Sequence, residues 1–520
     1  MHYQPILSFL TAIMAMIFTS CGDEDNPNPP VQEPFIEIAE NLLTEGLNYT
    51  KEASTKQISV RSNTELSVST DQPQWCTATL DKPNDAGYSV INVEVKANDS
   101  GSERKAAVEI KGGNISRIIN VIQTTKSTDT PDEPVKPDTP EIPAGEAVLF
   151  AQSMGMGWNL GNQMDAFNNN VAEETAWGNG KATQAVFDKL ASSGIQTVRI
   201  PVTWLGHIGD APEYTIDAQW LNRVAELVGY AEKAGLKAII NIHHDGADGA
   251  HWLDIKGAAN DKAINDRVKA QIAAMWTQIA EKFRDKGEFL IFESLNEIHD
   301  GGWGWGDNRK DGGKQYRTLN EWNQTFVDAV RATGGSNTTR YLGVPSYCTN
   351  PDLAITSFVL PKDPTPNRLM VSVHYYAPTE FSLEDKFSEW GHTGAPGKKA
   401  NYGDEDAIKD TFSKLKNKFI NKGIPVYIGE TGCVHRSSAR AESFRKYYLE
   451  YVCKAAREYG MPAIYWDNGS ADAGKECSGL LDHATGEYLN NGEEIIRIMV
   501  KAATSTDPDY TLSTVYNSAP

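Results

Sequence analysis

From about residue 145 onward, short apolar runs alternate with longer amphipathic stretches, and no other feature constrains the fold of this chain as tightly. Eight such runs can be counted: Gly155 to Asn159, Thr197 to Ile200, Lys237 to Ile242, Phe289 to Asn296, Tyr341 to Val344, Leu369 to Tyr375, Val426 to Gly429 and Ala463 to Asp467. Each is followed by a segment with helical spacing. The clearest puts Leu221, Val224, Leu227, Val228 and Ala231 on one face, with Asp217 as its N-cap. Strands alternating with helices imply a parallel sheet, because a parallel neighbour can be reached only through a crossover. Eight βα units within about 360 residues read as an α/β fold, the (β/α)8 TIM barrel. An open doubly wound sheet competes with it, but no glycine-rich phosphate loop follows the first strand to support a nucleotide fold.

Ahead of the barrel the period changes. Residues 36–124 alternate polar and apolar positions, as in Ile91-Asn92-Val93-Glu94-Val95-Lys96 and Ala106-Ala107-Val108-Glu109-Ile110-Lys111, which predicts a small all-β immunoglobulin-like sandwich. Thr124 to Pro143 is rich in Pro, Thr, Asp and Glu, the composition of an extended linker. Ile6 to Phe18 is an apolar stretch of 13 residues, too short to span a bilayer and placed like the core of an export signal. The predicted order is a signal peptide (1–20), an acidic, Pro-rich tether (21–35), the sandwich (36–124), a Pro-rich linker (125–144), the barrel (145–505) and a C-terminal tail (506–520).

A formal net charge of -20 and a pI near 5.0 exclude the basic patch that nucleic acids and anionic lipid surfaces require. A neutral polysaccharide suits such a surface better. Cys76, Cys348, Cys433, Cys453 and Cys477 have no metal-ligand spacing and are expected to be mostly buried free thiols.

Chemistry in a parallel barrel collects at the C-terminal ends of the strands. Here those ends carry Arg199, His243 and His244, Asn296 and Glu297, His374 and Tyr376, Glu430 and Trp466. Glu297 and Glu430 close two apolar runs far apart in sequence, and two carboxylates facing one another across a cleft suit glycoside hydrolysis. A metal reading of His243-His244-Asp245 with His251 is disfavoured, because successive strand residues point to opposite faces. No cofactor or metal is expected. Trp252, Trp303, Trp305 and Trp390 fall in predicted βα loops, where aromatics can stack on successive sugars.

These motifs together resemble glycoside hydrolase family 5 over about residues 148–502: Val198-Arg199-Ile200-Pro201, Asn241-Ile242-His243-His244-Asp245, Leu295-Asn296-Glu297, Val373-His374-Tyr375-Tyr376 and Ile428-Gly429-Glu430-Thr431. The opening Gly157-Trp158-Asn159-Leu160-Gly161-Asn162 with Asp165 is similar to subfamily 4. The resemblance implies Glu297 as general acid/base and Glu430 as nucleophile. It also implies Arg199 and Tyr376 as hydrogen-bonding partners of the nucleophile, Asn296 at the sugar 2-hydroxyl, His243 and His374 beside them, and Trp466 as the floor beneath the reacting sugar. His244, Trp252, Trp303 and Trp305 complete the expected substrate-binding set.

Three further resemblances lie upstream. Asn98-Asp99-Ser100-Gly101 through Ile110, and Ile119 to Thr124, resemble the BACON domains that precede carbohydrate enzymes. With few aromatics to stack on sugars, this domain is expected to be a spacer. Phe18-Thr19-Ser20 before Cys21 resembles a lipoprotein box with Cys21 as the lipidated residue, and Gly22-Asp23-Glu24-Asp25 resembles a surface-export tag of Bacteroidetes lipoproteins.

Together these resemblances imply a retaining endo-β-1,4-glucanase acting on the backbone of xyloglucan by double displacement, with plant β-glucan as its substrate, expected as a monomer anchored through Cys21 to the outer membrane and facing outward. The alternatives are cellulose or mixed-linkage β-glucan, then xylan or mannan, plain secretion in place of anchoring, and a non-catalytic surface glycan-binding lipoprotein.

Overall fold

The computed structural model describes residues 34–38, 42–43, 46–82, 88–125, 145–246 and 251–520. The predicted signal peptide, Cys21, nearly all of the tether and the linker lie outside the described residues. The chain forms two compact units, Met1–Asp138 and Thr139–Pro520.

The first unit is all-β. Its strands are β1 (Ile36–Glu37), β2 (Leu47–Tyr49), β3 (Ser54–Ser62), β4 (Leu66–Thr70), β5 (Cys76–Leu80), β6 (Tyr88–Val95), β7 (Arg104–Gly112) and β8 (Ile115–Gln123). They form two four-stranded sheets, ordered β1-β3-β6-β5 and β2-β8-β7-β4. The period-two pattern does the folding: Ile58 and Val60, Ile91, Val93 and Val95, Val108 and Ile110, Ile119 and Val121 all turn into one core. Trp75 lies just before β5 and is only partly buried against that core, with the Arg104 guanidinium 4.3 Å from its ring centre.

The second unit is a closed, all-parallel barrel. Its strands are β9 (Met156–Leu160), β12 (Thr197–Ile200), β13 (Lys237–Ile240), β14 (Leu290–Glu293), β15 (Leu342–Pro345), β16 (Leu369–Tyr375), β17 (Val426–Thr431) and β18 (Ala463–Asp467), with β18 pairing back to β9. A short hairpin, β10 (Phe167–Asn168) and β11 (Val171–Ala172), sits in the first βα loop. The third and fourth strands are shorter than the sequence predicts, ending at Ile240 and Glu293, while β17 continues to Thr431. The helix Ala218–Ala234 starts where expected. Asp217 accepts a hydrogen bond from Trp220 N at 2.8 Å, and Gly235, with φ 73°, closes the helix in the left-handed conformation glycine tolerates.

Alternation sorts the barrel strands into outward and inward columns. Outward residues such as Phe292, Val344, Val373 and Ile428 join a large core with the surrounding helices. Inward residues read as a gradient along the barrel axis. Ile239, Ile291, Met370, Tyr427 and Ile464 form an apolar layer together with Ala147 and Ala151 of the helix Glu146–Gln152, which closes the lower end. Two residues further along the chain from three of these the inward positions turn polar: Asn241 after Ile239, Glu293 after Ile291, Ser372 after Met370, then His374.

At the opposite end from the chemistry, Arg340 is buried ahead of β15. It donates to the carbonyls of Phe283, Lys286, Gly287 and Leu290 and to Asn337 Oδ1, at 2.7–3.1 Å. Arg340→Leu strands those acceptors, and we expect a loss of about 3 kcal/mol or more in urea unfolding. A change below about 1 kcal/mol would show the clamp to be dispensable.

Candidate active site

A single buried cation organises the rim. Arg199 on β12 has no exposed surface, and its guanidinium binds four acceptors. Nε donates to Glu293 Oε2 at 2.8 Å, Nη1 to Glu430 Oε1 at 2.7 Å and to Asn159 Oδ1 at 3.0 Å, and Nη2 to Asn296 Oδ1 at 2.8 Å. Glu293, which the sequence reading treats only as part of an apolar run, is the fixed counter-anion. Besides Arg199 it accepts from Asn241 Nδ2 at 2.9 Å and from the hydroxyls of Ser372 and Tyr427, each at 2.7 Å. Burial alone raises its carboxyl; the Arg199 charge, then His374 and the two hydroxyls, hold it below the usual carboxylate range.

Glu430 owes its aim to a bulge. Between β16 and β17 the pairing runs Val373↔Ile428, then His374↔Glu430, so Gly429 is passed over. A side chain at 429 would meet Ser372 Oγ at 3.0 Å and His374 Nε2 at 3.2 Å, which is why this position takes glycine. Tyr376 donates its hydroxyl to Glu430 Oε2 at 3.0 Å. Glu297 lies four residues past the end of β14 and is partly exposed. His374 Nδ1 is 2.6 Å from Glu297 Oε1 and 3.6 Å from Glu430 Oε2. A carboxylate oxygen of Glu297 and one of Glu430 lie within 4.8 Å of each other.

The two carboxyls lie close enough that the charge of one bears on the other. Burial raises both acids, and the His374 charge is the strongest pull downward on each. With that charge present, Glu297 is held below and Glu430, also raised by Glu297 itself, above the ordinary carboxylate range. This is the reverse of what the family resemblance implies. Arg199 cannot shed its charge, and at 2.7 Å from Glu430 Oε1 it favours the ionised form of that carboxyl.

The other predicted residues are placed by contacts of their own. Asn296 Nδ2 lies 3.3 Å from His243 Nε2, and the His243 ring stacks parallel to Trp466 at 5.7 Å between centres. Trp466 lies flat because Gly161 leaves it room: a side chain there would meet the indole at 2.8 Å. Trp252 is half-buried, its Nε1 donating to Asp245 Oδ1 at 2.8 Å. Trp303, at 58% exposure, stacks on His299, and Trp305, at 72%, lies under Arg309. Trp390 departs from expectation. It is 2% exposed, packed among Tyr447, Tyr448 and Tyr451 of the helix Ala439–Tyr459, with Nε1 on Gly403 O, and is core.

The geometric objection to a His243–His244 pair also fails. Both residues lie beyond the end of β13, free of strand alternation, and their rings are 4.4 Å apart. Asp165, His243 and His244 bring ligand-type atoms within 4.8 Å, as do Glu297, His374 and Glu430. Asp165 nevertheless already accepts the backbone N–H groups of Asn162 and Gln163, on separate oxygens. Cys76, Cys348, Cys433 and Cys453 are buried free thiols and Cys477 is a half-buried one.

Two measurements probe this framework. Arg199→Lys keeps the charge but not the fork, and kcat should fall by about 100-fold or more with the fold retained by circular dichroism. Near-normal kcat would remove Arg199 from its central place. Asp245, buried, has its carboxyl pushed up to about 7 from the ordinary 3.8 while accepting Trp204 N at 3.0 Å and Trp252 Nε1. A raised acid gives the fold an advantage that is complete below about pH 4 and lost as pH rises through about 7. Asp245→Asn should be less stable than wild type at pH 4, and the gap should narrow by about 2–4 kcal/mol by pH 8 in urea titrations. A gap independent of pH would rule out a buried proton on Asp245.

Comparison with known proteins follows the same lines. The model for cellulase (glycosyl hydrolase family 5) matches residues 160–472. A xyloglucan-specific endo-β-1,4-glucanase of Bacteroides ovatus is 32% identical over 507 residues, covering 94% of this chain and 95% of its own. Among solved structures, a GH5-4 broad specificity endoglucanase from Bacteroides salanitronis is 62% identical, covering 69% of this chain and 96% of its own, with a TM-score of 0.68. A Bacteroidetes-affiliated GH5 cellulase linked with a polysaccharide utilization locus is 52% identical, covering 72% and 98%, with a TM-score of 0.71. With a buried Arg199–Glu293 pair beneath two facing carboxylates at the rim of a parallel barrel, and these relatives, the chain belongs to glycoside hydrolase family 5 and is an endoglucanase acting on β-glucans.

Proposed function

We propose that the protein is a retaining endo-β-1,4-glucanase that cuts the backbone of xyloglucan. The observation that carries the mechanism is the approach of Glu297 and Glu430 oxygens to within 4.8 Å. Retaining enzymes hold their carboxyls about 5 to 5.5 Å apart, whereas inverting ones need about 6.5 to 9.5 Å to admit a water. In the first step Glu297 gives its proton to the departing glycosidic oxygen while the Glu430 carboxylate closes on the anomeric carbon. Glu297, now ionised, then takes a proton from water, which displaces Glu430 with net retention. Arg199 and Tyr376 hold Glu430 ready to attack. Asn296 meets the sugar 2-hydroxyl, with His243 behind it, and Trp466 supplies a flat face for the ring. His244, Trp252, Trp303 and Trp305 extend the cleft with further stacking and polar surface.

Xyloglucan is favoured by the relative that spans nearly the whole chain, N-terminal region included, and whose name specifies that polysaccharide. The more similar barrels, a broad specificity endoglucanase and a cellulase, favour a second reading in which unbranched or mixed-linkage β-glucan is cut as well. The N-terminal sandwich is proposed as a BACON-like spacer, and Cys21 as the site of a lipid anchor at the outer face of the outer membrane.

Glu430→Ala should lower kcat on xyloglucan by at least about 10⁴-fold while retention on a xyloglucan affinity gel persists. Retained turnover would dismiss the nucleophile assignment. Initial rates on xyloglucan, carboxymethylcellulose, mixed-linkage glucan and xylan decide the substrate, and equal or higher kcat/KM on an unbranched glucan would replace xyloglucan by the second reading. Fractionation of cells producing Cys21→Ala should find the enzyme released from the membrane.

A further inference from the structure

We propose that Asn241 sets the tautomer of His243, keeping the single proton of that ring on Nε2, so that His243 and Asn296 turn two N–H groups toward the sugar beside Glu430; the second part rests on the reading of Glu430 as nucleophile given above. Asn241 lies one residue past the end of β13 and His243 two residues further, both buried. Their backbones are tied to the neighbouring loop: the Asn241 carbonyl accepts from Trp204 Nε1 at 3.1 Å, and His243 N donates to Val202 O at 2.8 Å.

Two side-chain amides face the imidazole, and other partners fix which way each one points. Asn241 Oδ1 accepts from Val202 N at 3.1 Å, while its Nδ2 donates to Glu293 Oε2 at 2.9 Å. Asn296 Oδ1 accepts from Arg199 Nη2 at 2.8 Å. Turning either amide round would set oxygen against a carboxylate or an amino group against a guanidinium. Amino groups are therefore what meet the ring: Asn241 Nδ2 is 3.2 Å from Nδ1, and Asn296 Nδ2 is 3.3 Å from Nε2.

An imidazolium would set an N–H against each of those amino groups. Burial first, then His244, Arg199 and His374, keep the ring well below its ordinary 6.5, and so neutral. A neutral imidazole has one acceptor nitrogen and one N–H. Asn241 is wedged between two partners, giving one amino proton to Glu293 and having only Nδ1 for the other. The Asn296 amino group lines the cleft, where a sugar hydroxyl can take its proton instead. Nδ1 is thus the acceptor and Nε2 carries the proton. Glu430 Oε1 lies 4.0 Å from Nε2, beyond hydrogen-bond reach. Two donors 3.3 Å apart can both reach one hydroxyl oxygen, and so form a preformed seat for the reacting sugar beside the nucleophile.

The tautomer is read from proton–nitrogen correlation spectra of the free enzyme carrying isotope-labelled histidine, with the His243 signals identified by their loss in His243→Gln. From about pH 5 to 8 the ring should hold its proton on Nε2 alone; a proton on Nδ1, or a ring that becomes charged in that range, overturns the proposal. Asn241→Asp, whose carboxyl should keep a proton beside Glu293 and accept from the ring, should move the ring proton to Nδ1, and Asn241→Leu should give a mixture. Either variant keeping the wild-type tautomer would show that Asn241 does not set it. On 2,4-dinitrophenyl β-cellobioside, Asn241→Leu should lower kcat/KM about 10-fold with circular dichroism unchanged. On forms of that substrate lacking the 2- or the 3-hydroxyl of the reacting sugar, the penalty should shrink to within about twofold for one of the two. An equal penalty on all three would make Asn241 merely structural. Retained turnover in Glu430→Ala would withdraw the nucleophile reading and the sugar seat with it, while the tautomer stands or falls on the spectra alone.

Discussion

Everything at the upper rim depends on one guanidinium that cannot lose its charge. Arg199 is sealed inside the barrel, and a buried cation is tolerated only where anions and hydrogen-bond acceptors surround it. Glu293 meets that need from below and Glu430 from above. One positive charge against two carboxylates leaves the pocket with an excess of negative charge when both are ionised. In the reaction proposed above an oxocarbenium-like sugar develops positive charge in that pocket, so the arrangement that keeps Arg199 buried would also lower the energy of that state.

The barrel interior divides its work along its axis. The lower layer, from Ile239 to Ile464, is apolar and closed by its own helix, and each fully buried side chain of this size contributes about 1.5–3 kcal/mol. The deepest polar group above that layer is fully partnered, Glu293 accepting from four donors. The rim can therefore hold strained and charged features, among them the bulge at Gly429 and the left-handed turn at Cys348 and Thr349, because the layers below it are regular.

Much of this was legible in the sequence because the signals were periodic. Apolar runs spaced by helical stretches mark eight strands, and a polar residue at the end of such a run marks the rim. What the sequence hides is what distant segments decide. Glu293 sits in the same run as Glu297, and its inward place follows from standing two residues beyond Ile291, an alternation that a nearly continuous apolar run conceals. Trp390 reads as a loop aromatic, yet three tyrosines from the helix Ala439–Tyr459 enclose it. His243 and His244 seem to diverge only if the strand is assumed to continue; it stops at Ile240, and the backbone turns both rings to the same place. The skipped pairing at Gly429 leaves no mark in composition at all.

The helix Glu146–Gln152, the first element of the barrel unit, plugs the end of the barrel away from the carboxylates. The chain thus enters the catalytic unit from behind. Whatever tugs on the upstream polypeptide, whether flow, a moving polymer or an attachment point, delivers its load to an apolar stopper seated against five strands. The cleft, which must keep its reacting groups in register to within fractions of an ångström, opens at the other end of the barrel.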